Sequence, residues 1–149
     1  MASQVDKSTM TVIVQEEVEL NGTKFGSRTN FEIGSINEVS QRIVTVPTTP
    51  TTILNLSSSI GPGAYLTSAV KYVRLTNLDT QNYVRLTFLS GSANQFDVKL
   101  DALRTYIFTN ASISGSNSSA AFDSFSSFTA LRGTANSSSV DVELFVASS

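Results

Sequence analysis

The chain has 149 residues, 40 % hydrophobic and only 15 % charged, with a formal net charge of −2; one domain of this length buries roughly 70 % of the surface its unfolded form exposes and needs no external staple. Without cysteine or histidine, disulfides, thiolate chemistry, the commonest general base and the preferred zinc ligands are all excluded. The ten basic residues are scattered, against a nucleic-acid footprint, and neither a membrane-spanning run nor a signal peptide is present, which predicts a soluble protein outside Sec targeting.

Residues 1–8 (MASQVDKS) lack a periodic pattern and read as a polar N-terminal arm, frayed or ordered by a partner through Gln4 and Val5. Residues 9–149 read as one domain. From Met10 the pattern alternates: Val12, Val14, Val18 and Leu20 share one parity, while Ile13, Gln15, Glu17 and Glu19 share the other. Asn21-Gly22-Thr23 breaks the run, and Phe25, Phe31 and Ile33 continue on a second strand. Pairing Leu20 with Phe25 sets Val14 against Phe31 and Glu17 against Arg28, so apolar and charge patterns agree on one hairpin. Glu16 sits on the apolar parity and calls for a bulge, an edge or an interface.

Residues 34–38 read as a turn and 39–46 as a strand stopped by Pro47. Pro47 and Pro50 favour an extended crossing able to carry the chain from one sheet to another. A short strand follows at 53–56, then a loop over 57–68 turned sharply by Gly61-Pro62-Gly63, with Ile60, Tyr65 and Leu66 pinning it to the body.

In residues 70–89 the pentapeptide Tyr-Val-Arg-Leu-Thr occurs twice, at 72–76 and 83–87. Val73, Leu75, Val84, Leu86 and Phe88 form an inward row set. Tyr72, Arg74, Thr76, Tyr83, Arg85 and Thr87 form the outward one. With turn formers between the copies, an antiparallel hairpin is expected. Its outward face carries Tyr72, Arg74, Tyr83 and Arg85, residue types enriched in interfaces, with Tyr72 stacked on Arg85 and Arg74 on Tyr83. Such a face suits a subunit contact and a solvent-exposed ladder equally.

After a turn at 90–95, Phe96, Val98 and Leu100 alternate with Asp97 and Lys99. Asp101-Ala102 is a corner before a strand over 103–109 whose inward parity stays open. Residues 111–121 are rich in Ser, Asn, Ala and Gly and read as a surface loop. Phe122, Phe125 and Phe128 recur every third residue, but the intervening Ser and Asp are poor helix formers, so an anchored loop leading into a strand over 125–132 is expected. Val140, Val142, Leu144 and Val146 then face one way along a central last strand, with Asp141, Glu143 and Phe145 on the other side.

The polar share of the chain lies in 24 Ser and 17 Thr; abundant Thr, Val and Ile with short Asn/Gly turns favour an all-β class. Some ten strands exceed one twisted sheet, so a two-sheet β-sandwich of jelly-roll type is expected. No site chemistry stands out. Glu16 with Glu17, and Asp97 with Asp101, are the nearest carboxylate pairs for glycosidase work, yet they read more simply as strand-face and turn residues. No calcium-loop spacing or phosphate-binding glycine loop occurs; no catalytic residue, metal or cofactor is assigned. Five Asn-x-Ser/Thr triplets, at Asn21, Asn55, Asn110, Asn117 and Asn136, read as turn chemistry.

The runs SAVKYVRLTNLDTQNYVRLTFL, FDVKLDALRTYIF and VDVELFVAS resemble small all-β virion proteins of tailed bacteriophages, above all head decoration (cement) proteins, over residues 36–149. That resemblance implies a non-enzymatic protein on the outer capsid surface that bridges neighbouring major capsid subunits. It further implies a symmetric homo-oligomer, with residues 1–8 in the part of an extended arm. A tail, neck, baseplate or fibre component is the first alternative. A carbohydrate-binding sandwich with Tyr65, Tyr72 and Tyr83 as platforms is the second.

Overall fold

The computed structural model describes residues 5–59, 61–109 and 128–149, and the chain divides into two compact units, Met1–Glu38 with Ser149 and Val39–Ser148. Among the described residues every regular element is a strand.

In the first unit, β1 (Ser8–Gln15), β2 (Val18–Leu20), β3 (Thr23–Phe25) and β4 (Arg28–Ile36) fold into a two-stranded ribbon, β1 against β4 and β2 against β3. Asn21 and Gly22 both have positive φ, 51° and 77°, the primed geometry whose twist matches that of a hairpin. The loop is thus two residues long, and Leu20 pairs with Thr23 rather than with Phe25. Every expected pair moves by two: Val14 opposes Thr29, Val12 opposes Phe31 and Gln15 opposes Arg28. A two-residue slip keeps each side chain on its expected face.

Glu16 and Glu17 oppose Gly26 and Ser27, where the ladder is interrupted. The Glu16 N–H donates to the Ser27 carbonyl (2.9 Å) and the Ser27 hydroxyl to Glu16 Oε2 (3.2 Å). Gly26 sits at φ 139°, and a Cβ there would run into the Glu16 carbonyl oxygen. The odd placement of Glu16 is therefore a local break in the ladder. The turn expected at 34–38 is absent, since β4 runs to Ile36 and β5 starts at Glu38. Instead the register shifts between Met10↔Ile33 and Ser8↔Ile36, and Ser35 adopts φ 60°, so a bulge absorbs the extra residue.

Apart from Glu38 at the start of β5, the second unit contains β5 (Glu38–Val46), β6 (Thr51–Ser57), β7 (Tyr65–Leu66), β8 (Val70–Asn77), β9 (Val84–Ser90), β10 (Ala93–Leu100), β11 (Thr105–Thr109), β12 (Ala130–Ala135) and β13 (Val140–Ser148). They form a four-stranded sheet, β11-β8-β13-β5, and a five-stranded one, β10-β9-β12-β6-β7. Leaving out the two-residue β7, the first strand lies beside the eighth, then the third and sixth, while the second lies beside the seventh, then the fourth and fifth. This is jelly-roll order, two Greek keys wound into a sandwich. The proline segment after Val46 carries the chain from the four-stranded sheet to the five-stranded one, as expected.

The expected central hairpin does not form. β8 and β9, which carry the two Tyr-Val-Arg-Leu-Thr copies, lie in opposite sheets. Their apolar rows Val73/Leu75 and Val84/Leu86, fully buried, belong to one core between the sheets. Alternation is satisfied equally by pairing in one sheet or by facing across two; the neighbours decide. β11 and β13 occupy both edges of β8, and β10 and β12 both edges of β9. The second copy instead makes its hairpin with β10, through Gly91 at φ 61°.

The crossover from β8 to β9 is held by side chains. Buried Asn77 donates through Nδ2 to the carbonyls of Asn82 (2.9 Å) and Leu100 (3.1 Å) and accepts from the Asp79 N–H (2.9 Å). Asp79 Oδ1 accepts the N–H groups of Asn82 (2.6 Å) and Gln81 (2.7 Å), which hold its carboxyl below the usual range. Asn82 in turn bonds Ser137 and Ser138, and Asn136 Oδ1 accepts the Tyr83 N–H, tying the crossover to the turn before β13.

Phe88 centres an aromatic cluster, stacked on Phe96 at 4.4 Å and edge-on to Phe108 (5.4 Å) and Phe128 (5.6 Å). Tyr106 and Phe108 pack against the core and Ile107 is exposed, which settles the open parity of β11. That strand starts at Thr105 rather than Leu103, because Leu103 remains in the corner at φ 57°. β12 starts at Ala130, later than expected, and Phe128 enters the core before it. Gly133 on β12 admits close approach, since a Cβ would lie 2.9 Å from Val46 Cγ1. The loop read at 111–121, its anchor Phe122 and the expected strand start at Phe125 lie outside the described residues, as does Ile60.

Candidate functional site

The outer face of the four-stranded sheet gathers the side chains best suited to recognition. On β5, Val44 packs against the core and Val46 lies within it, so alternation turns Val39, Gln41, Ile43 and Thr45 outward. On β13, buried Val142, Leu144 and Val146 turn Asp141, Glu143 and Phe145 outward. Cross-strand register sets Ile107, Arg74 and Phe145 in one row and Thr105, Thr76 and Glu143 in the next.

Arg74 is the hub of this face. Its Nη2 meets Glu143 Oε1 at 2.6 Å, its Nη1 donates to Thr76 Oγ1 at 2.7 Å, and its guanidinium lies 5.7 Å from the Phe145 ring centroid. The Arg74 hydrogen bond, and a second from Gln41 Nε2 (3.2 Å), hold the Glu143 carboxyl below the usual range. Thr45 Oγ1 donates to Asp141 at 2.6 Å, confirming that β5 and β13 share the face. Around this polar lattice Ile43 is 62 % exposed, Val39 56 % and Ile107 41 %. The result is a rigidly oriented arginine and aromatic ring surrounded by open aliphatic surface.

The expected Tyr/Arg face is divided. Tyr72 and Arg74 lie on β8, but Tyr72 is buried, its ring edge-on to Phe145 at 5.9 Å. Burial pushes its phenol pKa up, with Arg74 acting in the opposite direction. Arg85 belongs to the other sheet, and Tyr83 immediately precedes its β9: Arg85 pairs with Asp97 (2.9 Å), and Lys99 Nζ lies 4.7 Å from the Tyr83 centroid. Neither expected stacking pair forms, because the two strands are not neighbours. Val5 is exposed; Gln4 lies outside the described residues. Sequence reasoning missed Glu143, Phe145, Ile107 and Ile43 as site members. The signal was an outward phenylalanine beside a glutamate on a strand whose other face is entirely aliphatic.

The carboxylates considered for catalysis have other partners. Glu16 accepts from Ser27, Glu17 lies 4.0 Å from Lys24, Asp97 pairs with Arg85 and Asp101 with Lys99 (2.8 Å). Among the described residues no group of three His, Cys, Asp or Glu gathers as for a metal ion, and no helix is long and apolar enough to cross a membrane. No protein-family model, curated protein or solved structure matches this chain.

Proposed function

We propose that this protein is a non-enzymatic virion component, a decoration or cement protein that binds the outer surface of a phage head and bridges major capsid subunits. The observation that carries this reading is the row Ile107–Arg74–Phe145 with exposed Ile43 alongside. An arginine held by two hydrogen bonds against an aromatic ring loses little freedom on binding, and the aliphatic side chains around it exclude water: the anatomy of an interaction hot spot. Jelly-roll order, which recurs in viral coat domains, supports it, and it accords with the resemblance expected from the sequence over residues 36–149. On a repeating capsid lattice each copy needs only modest affinity, because many seams are bridged together.

The carbohydrate reading loses its platform. Tyr72 is buried, Tyr65 packs against the core, and Tyr83 immediately precedes β9 of the other sheet, beside Lys99. The test is co-sedimentation with expanded phage capsids stripped of accessory proteins. Binding that saturates at a fixed ratio to the major capsid protein, and falls at least tenfold in affinity with Arg74→Ala, is the expected result. Absence of binding to capsids, with binding to tails instead, would replace the head by a tail position.

A further inference from the structure

The N-terminal ribbon has a second, separate apolar face. Because two residues stand on each strand at the break, Glu16-Glu17 against Gly26-Ser27, parity is preserved through it. Met10, Val12, Val14, Val18 and Leu20 therefore share one face with Phe25, Phe31 and Ile33. Thr11, Ile13, Gln15, Glu17, Glu19, Lys24, Arg28, Asn30 and Glu32 occupy the other. Val12 is already buried at 8 % exposure, whereas Val14, Val18, Leu20, Phe25 and Phe31 are 39–62 % exposed, so the open part of the face runs from Val14 and Phe31 to the Asn21-Gly22 turn.

We infer that this face is where two copies of the chain dock, ribbon on ribbon. Charge supports a self-contact. Every charge on the ribbon strands lies on the opposite face; Glu16, in the break between them, is the single carboxylate on the apolar parity, accepts a hydrogen bond from the exposed Ser27 hydroxyl, and must keep its solvent contact in the stack. Area supports it as well. The five exposed side chains leave about 450 Å² of apolar surface per copy. At the ~65 % apolar share of a homodimer interface, two such faces correspond to about 1,400 Å² in total, the size of a standard stable interface. Timing selects the copy over the capsid: a lone two-stranded ribbon is marginal in water, and only another copy is certain to be present as the chain folds. The stack would have the layout of a small sandwich, with polar faces outward.

This inference deepens the assembly role proposed above and rests on it only for its setting, since its test uses no capsid. The molar mass of the full chain, measured by light scattering across a concentration series, should reach that of a dimer. The double variant Leu20→Asp/Phe25→Asp should be monomeric at concentrations at least tenfold higher, with the sandwich intact by its melting transition and near-ultraviolet circular dichroism. Ile13→Asp, on the polar face, should remain dimeric. The chain has no cysteine, so Val18→Cys supplies a unique thiol that should oxidise to a cross-linked dimer. A wild-type monomer at every concentration would overturn the inference, as would a dimer that survives the double variant. A monomer that still saturates capsids would sink the ribbon contact and leave the decoration reading standing.

Discussion

The ribbon and the sandwich are written in the same code and end in opposite states. Both alternate apolar and polar residues, and in both the alternation selects the face. In the sandwich the apolar rows of β8 and β13 are closed by a second sheet, leaving Leu75 and Leu144 no more than 1 % exposed. In the ribbon Val12 of the equivalent row is buried at 8 %, but Leu20 stays 62 % and Phe25 54 % exposed. Alternation thus specifies which side of a strand is to be covered, but not what covers it. A second sheet gives a core; an apolar row left exposed is a surface on which a further layer can dock.

The sharpest way to break this comparison is to truncate one leucine from each region. Leu144→Ala should cost about 2–5 kcal/mol, because the packed layers cannot collapse onto the cavity. Leu20→Ala should leave the melting transition of the dilute protein nearly unchanged and weaken self-association instead. Equal losses of melting temperature would show that the ribbon row is buried as deeply as the core.

A smaller effect should be confined to the ribbon. Gly26→Ala places a Cβ against the Glu16 carbonyl at a φ that side chains rarely adopt, a strain of about 1–3 kcal/mol. Amide exchange at Glu16 should accelerate while exchange in β8 and β13 stays slow. Matching acceleration in both would mean that the two units unfold as one.

The smallest expected effect concerns pH. Glu143 and Asp79 have folded pKa values below the ordinary range, the first mainly through Arg74 and the second through the N–H groups of Asn82 and Gln81. Each group therefore adds stability above its unfolded pKa, and that stability is lost as pH falls through the lowered folded value. The sandwich transition should soften in acid. Glu143→Gln should remove about 1 kcal/mol or less of that dependence, the scale of a partly exposed ion pair. A melting temperature flat from neutral pH into the acid range would contradict the role given to both carboxylates.

The candidate site was legible only in part. Arg74 was found as an outward residue of a strong strand, but its partners Glu143 and Phe145 are 69 and 71 positions further along, and no local pattern links such distances. Tyr72 misled because its parity matched that of Arg74; parity reports direction, and what lies over a side chain depends on the rest of the fold.

Taken alone, the sequence determined the all-β class, the inward rows of β8, β9 and β13, the proline crossing between sheets and the turn at Asn21-Gly22. All follow from local chemistry: side-chain period, missing N–H groups, and residues that tolerate positive φ. Only the tertiary structure decided that the twin pentapeptides face each other across a core, that β13 completes the Arg74 site, and that the ribbon keeps an open apolar face. Those outcomes depend on which strand occupies each edge, a choice made by competition among segments far apart in the chain that bury the same apolar rows equally well.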